Sequence, residues 1–86
     1  MITPTQIRLF IKPGCPWCDE AIEWLTGHDI SFVTLDVIRD ATARAEMLEL
    51  TRQTKAPCID VDGNLLADFG ADELDVWWTK MGFALP

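Results

Sequence analysis

An alternating, β-branched run over residues 6–12, QIRLFIK, stops at Pro13-Gly14 and gives way to helix-forming sequence that begins Cys15-Pro16-Trp17-Cys18. Strands bury every second residue and helices every third or fourth, so a change of period across one Pro-Gly step specifies a strand, a tight turn and a helix. Cys18, Ala21, Ile22 and Leu25 recur at helical spacing within PWCDEAIEWLTG, and Gly27 stands where that helix can stop. ISFVTLDV, residues 30–37, reads as a second strand that buries Ile30, Phe32 and Val33. A strand–helix–strand unit of this kind crosses over right-handed and leaves its strands parallel.

The second half extends that unit. Asp40 is placed to cap ATARAEMLELTRQ, a strongly helix-forming stretch with Ala41, Ala45, Met47 and Leu48 available for a buried stripe. CIDVDGNLLAD reads as a hairpin about Asp62-Gly63, the residue pair of a type I′ turn. In ADELDVWWTKMGF, helical spacing puts Leu74, Trp77, Trp78 and Met81 on one face, which accounts for the paired tryptophans as core, and Gly82 ends the helix. The order is β-α-β-α-β-β-α. It predicts an α/β fold, a four-stranded mixed sheet with helices on both faces, in one domain spanning residues 1–86.

Composition removes several function classes. Nothing in the 86 residues approaches the roughly 20 consecutive apolar residues of a membrane span. The opening MITPTQIRLF lacks the basic and apolar regions of a signal peptide, so a cytoplasmic location is expected. A net charge of −7 opposes nucleic-acid binding, which draws its affinity from Lys and Arg on phosphates. A monomer is expected. The count of three cysteines is odd, unlike the even sets of secreted disulfide frameworks.

A Cys-x-x-C pair can serve a zinc site, a structural disulfide or redox exchange. Here Cys15 falls at the start of a helix with Pro16 in the first turn, where a missing N–H costs nothing. Unpaired N–H groups and the positive helix end then point at the Cys15 sulfur and favour negative charge there. The thiolate is the form that attacks disulfides. Lys12 adds a positive charge nearby, while Asp19 and Glu20 oppose it. Cys18, one turn deeper, keeps its proton. Cys15 is thus the attacking thiol and Cys18 the resolving one. Zinc wants four ligands, and Cys58 and His28 show no ligand spacing, so no metal is expected. A structural disulfide over so short a loop would stabilise little.

Pro57, in KAPCIDV, precedes a strand that should be interior, where a trans proline fits poorly. A cis Ala56–Pro57 bond would turn the backbone towards Cys15, leaving the Ala56 N–H and C=O to pair with an extended thiol substrate.

Together these segments resemble the thioredoxin-fold superfamily, and most closely a dithiol glutaredoxin. The likeness runs through KPGCPWC between strand and helix, the AP step, the Asp-Gly hairpin and FGADEL. Trp17 stands where the common CPYC motif has tyrosine. The resemblance implies a thioredoxin-like fold and a glutathione-dependent thiol–disulfide oxidoreductase acting on protein disulfides and glutathionylated proteins, with glutathione as co-substrate and no bound cofactor. It implies that glutathione lies beside Cys15, with Lys12 and Gln53 near its glycyl carboxylate. Ala56 and Pro57 would meet its cysteinyl unit, and Gly70, Ala71, Asp72 and Glu73 its γ-glutamyl end. Trp17 either packs on the substrate or covers Cys18.

Departures from the pattern leave the electron donor open. Lys55-Ala56-Pro57 replaces Thr-Val-Pro, and Phe69-Gly70 replaces Gly-Gly. Alanine before that proline also marks glutaredoxin-like redoxins that thioredoxin reductase reduces and that serve ribonucleotide reductase. Their Phe-Arg-Pro-Asp segment is not matched by FGADEL. An iron–sulfur module, a third reading, is disfavoured by Pro16. Cys58 reads either as a small buried hydrophobe or as a third redox thiol. Arg39, Arg44 and Arg52 face solvent, with Arg52 and Lys55 available as a positive edge for an anion.

Overall fold

The computed structural model describes residues 1–86. Seven elements follow in order: β1 Ile7–Ile11, α1 Pro16–Gly27, β2 Val33–Asp36, α2 Ala41–Thr51, β3 Cys58–Val61, β4 Asn64–Ala67 and α3 Ala71–Met81. The strands form one four-stranded sheet in the order β2-β1-β3-β4. β1 runs parallel to β2 and antiparallel to β3, and β3 turns back into β4 through left-handed Asp62 (φ 51) and Gly63 (φ 91). This is the mixed sheet and the hairpin that the sequence predicts.

The two central strands are buried on both faces, as strands covered by helices must be. Leu9 and Ile59 face one cluster with Ala21 and Leu25 of α1 and Leu74 and Trp78 of α3. Phe10 and Cys58 face the other, with Val37 and with Ala43 and Met47 of α2. Helices therefore cover both faces. The chain ends are tied together by backbone bonds between Ile2 and Gly82 and between Ala84 and Ile2.

Three expectations need correction. Val33 is exposed, because β2 is the outer strand and that side of it has no cover. In α2 the buried pair is Ala43 and Met47, while Ala41, Ala45 and Leu48 face solvent. The helix touches the sheet along a narrow i, i+4 line, and its alanines are too evenly spread for the sequence to tell which line. It also ends at Thr51, with Arg52 left-handed (φ 58), short of Gln53. Gly27 is the last residue of α1, as expected, and the left-handed residue of the turn that follows is Asp29 (φ 57). Asp40 caps α2 as expected, accepting from the Thr42 and Ala43 N–H groups.

One stabilising network has no sequence signature. Arg8 of β1 donates to Asp60 of β3 at 2.6 and 3.1 Å and to Glu46 of α2 at 2.8 Å, and its guanidinium lies 5.4 Å from the Phe10 ring centre. Asp60, only 8% exposed, also accepts the Gly63 N–H at 2.7 Å, so it holds the hairpin turn as well. Removing one partner of a shielded pair strands the other, whereas an exposed pair contributes little. Asp60→Ala is expected to lower unfolding free energy by about 2–4 kcal/mol in urea titrations. Glu46→Ala, at the exposed end, is expected to cost less than about 1 kcal/mol. Equal losses would contradict this division.

Candidate active site

β1 ends at Ile11, and the chain turns through Pro13 and left-handed Gly14 (φ 71) before entering α1 at Pro16. A side chain is rarely accommodated at that φ, so the glycine is what lets the helix start immediately beside the sheet end. Cys15 is the N-cap residue. Its Sγ accepts the Cys18 N–H at 3.2 Å, replacing the oxygen that usually caps a helix. It is half-buried, within reach of solvent.

Cys18 faces the opposite environment. It is 1% exposed, and its thiol is pushed up to about 12, chiefly by burial, then by the hydrogen bond with Cys15, with the Lys12 backbone acting in the other direction. The two sulfurs of one motif are thus unequal. Cys58 is buried too, its thiol shifted upward mainly by burial. All three cysteines are free thiols. No three His, Cys, Asp or Glu side chains are grouped as metal ligands would be.

The antiparallel register pairs Phe10 with Cys58, so the segment leaving β1 and the segment entering β3 emerge at the same sheet end. The Ala56–Pro57 peptide is cis, and the Ala56 carbonyl lies 3.9 Å from Cys15 Sγ. The Ala56 N–H has no acceptor within the chain. Asp68 N–H closes the other side of this step by donating to the Pro57 carbonyl at 2.9 Å.

α3 begins at the same end. Gly70 caps it, and the Trp17 ring lies over Gly70 so closely that a Cβ there would come within 3.3 Å of it. Trp17 is 58% exposed and, with Asp68, Phe69, Gly70 and Glu73, lines a shallow cleft of about 260 Å³. The structure therefore brings Trp17, Gly70 and Glu73 to one cleft, and Cys15, Ala56 and Pro57 to the adjoining step. Asp72 is exposed in the first turn of α3, next to half-buried Ala71. Lys12 follows β1, half-buried and without an ion pair.

Two of the expected contact residues are engaged by the protein itself. The Glu73 carboxylate accepts the Gly70 N–H at 3.1 Å and so caps the start of α3 from one side. The Gln53 amide is turned into its own loop. Its Oε1 accepts the Lys55 N–H at 2.7 Å, while Nε2 shares two protons among Lys55 O at 2.9 Å, Cys58 Sγ at 3.0 Å and Thr51 Oγ1 at 3.1 Å. Sequence reasoning did not find that network, nor the Lys55–Asp68 pair, 3.9 Å apart and exposed. Both depend on how a loop closes, which no residue spacing encodes.

The sequence profile of the Glutaredoxin family matches residues 7–66, from β1 to β4. The chain belongs to the glutaredoxin family. A glutaredoxin-like 8.6 kDa protein in a rubredoxin operon of Clostridium pasteurianum is 38% identical over 70 residues, 81% of this chain and 93% of that one. Glutaredoxin 3 of Escherichia coli K12 is 29% identical over 69 residues, 80% of this chain and 81% of that one. Among solved structures, a thioredoxin-like protein superposes with a TM-score of 0.76 at 28% identity, covering 83% of this chain and 97% of its own. The α/β fold is thioredoxin-like, and the chain is a glutaredoxin-like redox protein. None of its helices is long and apolar enough to cross a membrane.

The unequal thiols give two expected outcomes. Brief alkylation of the reduced glutaredoxin at pH 8 with iodoacetamide, read by peptide mass mapping, is expected to label Cys15 and leave Cys18 and Cys58 unmodified. Comparable labelling of Cys18 would contradict its burial. A free thiol ionises near ~8.5 in an unfolded chain, but Cys18 holds its proton to about 12 when folded. That difference favours the folded state fully below about pH 8.5 and is lost as pH rises towards 12. The chain has no tyrosine to obscure the effect. Reduced protein is expected to lose urea stability between pH 8 and 10 more steeply than Cys18→Ala; parallel curves would refute the assignment.

Proposed function

We propose that this chain is a glutathione-dependent thiol–disulfide oxidoreductase in which Cys15 attacks and Cys18 resolves. The observation that carries the reading is the contrast within one helical turn: an accessible Cys15 sulfur receiving a backbone N–H, above a Cys18 that is 1% exposed. The Cys15 thiolate attacks a sulfur of the substrate disulfide. A new S–S bond forms to Cys15, and the other sulfur departs as a thiolate that takes a proton from water. With a glutathionylated protein, Cys15 retains the glutathione, and a second glutathione thiolate displaces it as oxidised glutathione. With a protein disulfide, Cys18 loses its proton and attacks the Cys15 sulfur, leaving an oxidised Cys15–Cys18 pair and a fully reduced substrate.

Support for glutathione as the thiol comes from the shape beside Cys15. The unpaired Ala56 N–H suits a peptide-like backbone, and the N-terminal turn of α3 suits a carboxylate beside the Trp17 cleft. Lys12 and Lys55 supply positive charge in an acidic protein. A thiol pair that must be re-reduced each cycle also fits a reducing compartment such as the cytoplasm. The engagement of the Gln53 amide within its own loop favours a second reading, a redoxin reduced by thioredoxin reductase, since that side chain is not free to hold glutathione.

Cys15→Ser is expected to reduce activity to background with every substrate. Cys18→Ser is expected to keep deglutathionylation of a glutathionylated peptide while losing most activity on a protein disulfide. Loss of both activities in Cys18→Ser would sink the mechanism. The donor is read separately, by following reduction of the oxidised protein with millimolar glutathione or with thioredoxin reductase and NADPH. Fast reduction by the reductase and none by glutathione would replace the first reading with the second.

A further inference from the structure

Cys58 lies immediately after the Ala56–Pro57 step, fully buried and out of reach of any substrate. Filling space beside Phe10, Val37, Ala43 and Met47 needs only a small apolar side chain. Its sulfur does more than that. Sγ donates to the Lys55 carbonyl at 3.1 Å and accepts from Gln53 Nε2 at 3.0 Å. Gln53 in turn holds both polar groups of Lys55, accepting its N–H at 2.7 Å and donating to its carbonyl at 2.9 Å.

The Lys55 carbonyl and the Ala56 N–H belong to one peptide unit, and the cis bond in this segment is the next one along. In a trans peptide the C=O and N–H are coplanar and point in opposite directions. Two donors grip the carbonyl from the inside, so the N–H is turned outward, and it is this N–H that has no acceptor in the chain. The geometry points to Cys58 and Gln53 as positioning residues that aim the Ala56 N–H along the approach to Cys15, so that exchange there favours disulfides carried on a peptide backbone. The inference rests on the proposed role of Cys15 as the attacking thiol, and it holds whether glutathione or a reductase restores the dithiol. It also gives Gln53 a role different from a contact to a ligand carboxylate.

The test is single-turnover exchange in a Cys18→Ser background, where the mixed disulfide on Cys15 accumulates and is counted by mass spectrometry. Two probes are compared: the disulfide of N-acetylcysteine methylamide, with peptide groups on both sides of each sulfur, and 2-hydroxyethyl disulfide, with none. In both, the thiolate of Cys15 forms one S–S bond, and the departing sulfur takes the electron pair and then a proton from water. The ratio of the two rates is the readout, because general damage to the thiol or the fold moves both together.

Cys58→Val, which stays apolar and removes the hydrogen bonds, is expected to lower that ratio roughly 3- to 10-fold, the range of one hydrogen bond. Gln53→Ala, on a surface loop, is expected to do the same, and the double variant to do no more than either alone, because the two act as one clamp. Cys58→Ser, which can still donate to the Lys55 carbonyl, is expected to restore most of the ratio. An unchanged ratio in Cys58→Val and Gln53→Ala would overturn the proposal, and so would a Cys58→Ser ratio no better than that of valine. Should Cys58→Val fail to fold, Gln53→Ala and Cys58→Ser decide alone. Oxidised glutathione as a third probe separates the two readings. A peptide preference without any glutathione advantage keeps the clamp and removes glutathione.

Discussion

The pairing of β1 with β3 is the constraint on which the site depends. Those strands run antiparallel with Phe10 opposite Cys58, so the chain leaving β1 and the chain entering β3 must pass each other at one end of the sheet. That end is where the Cys15 turn and the Ala56–Pro57 step meet. Side chains alternate faces along a strand, so a slip of β3 by one residue against β1 would exchange the two buried faces of β3. Ile59 would then confront α2, and Cys58 would confront α1 and α3. The Arg8–Asp60 pair, directly opposed in this register, would be separated as well. The core therefore fixes the register, and the register fixes which backbone groups flank Cys15.

From that placement the inequality of the two thiols follows without any further device. Cys15 is the last residue outside α1 and stays at the surface; Cys18 is one turn inside it and faces the sheet. Burial favours the neutral form of a thiol, which is why Cys18 holds its proton, while a sulfur at a helix start receives the N–H that the helix leaves over. One helical turn thus separates a half-buried thiol from one that is 1% exposed. The same burial that makes Cys58 unreactive lets its sulfur serve as a fixed hydrogen-bonding atom in the loop ahead of it.

Much of this was legible before any coordinates. The strand–turn–helix around Cys15, the Asp62-Gly63 hairpin, the capping of α2 by Asp40 and the cis step before Pro57 all follow from local chemistry, where one residue type has few conformations available. What was not legible depends on partners distant in sequence. Val33 is as apolar as Ile30, and only the position of β2 at the sheet edge leaves it exposed. Ala43 is chosen over Ala45 by the roll of α2 on the sheet. Arg8, Glu46 and Asp60 are unremarkable surface-type residues until three elements bring them together. The resemblance implies ligand contacts for Gln53 and Glu73, whereas each satisfies a backbone N–H of its own loop or helix end.

That last difference bears on how a substrate is recognised. Side chains that reach out from a groove select for particular groups, such as one carboxylate at one distance. With the Gln53 amide turned into its own loop and one Glu73 oxygen capping α3, main-chain groups stand beside Cys15: the Ala56 N–H and carbonyl and the first turn of α3. Backbone groups recognise other backbones, and they do so irrespective of which side chains those backbones carry. The flexible, exposed Lys55, weakly paired with Asp68 at 3.9 Å, adds charge but little geometry. On the proposed mechanism, a site built this way would discriminate first by whether a disulfide sits on an extended peptide, and only second by what that peptide is. Glutathione, with its own peptide bonds on either side of the sulfur, and a cysteine in an unfolded protein segment present the same pattern to it.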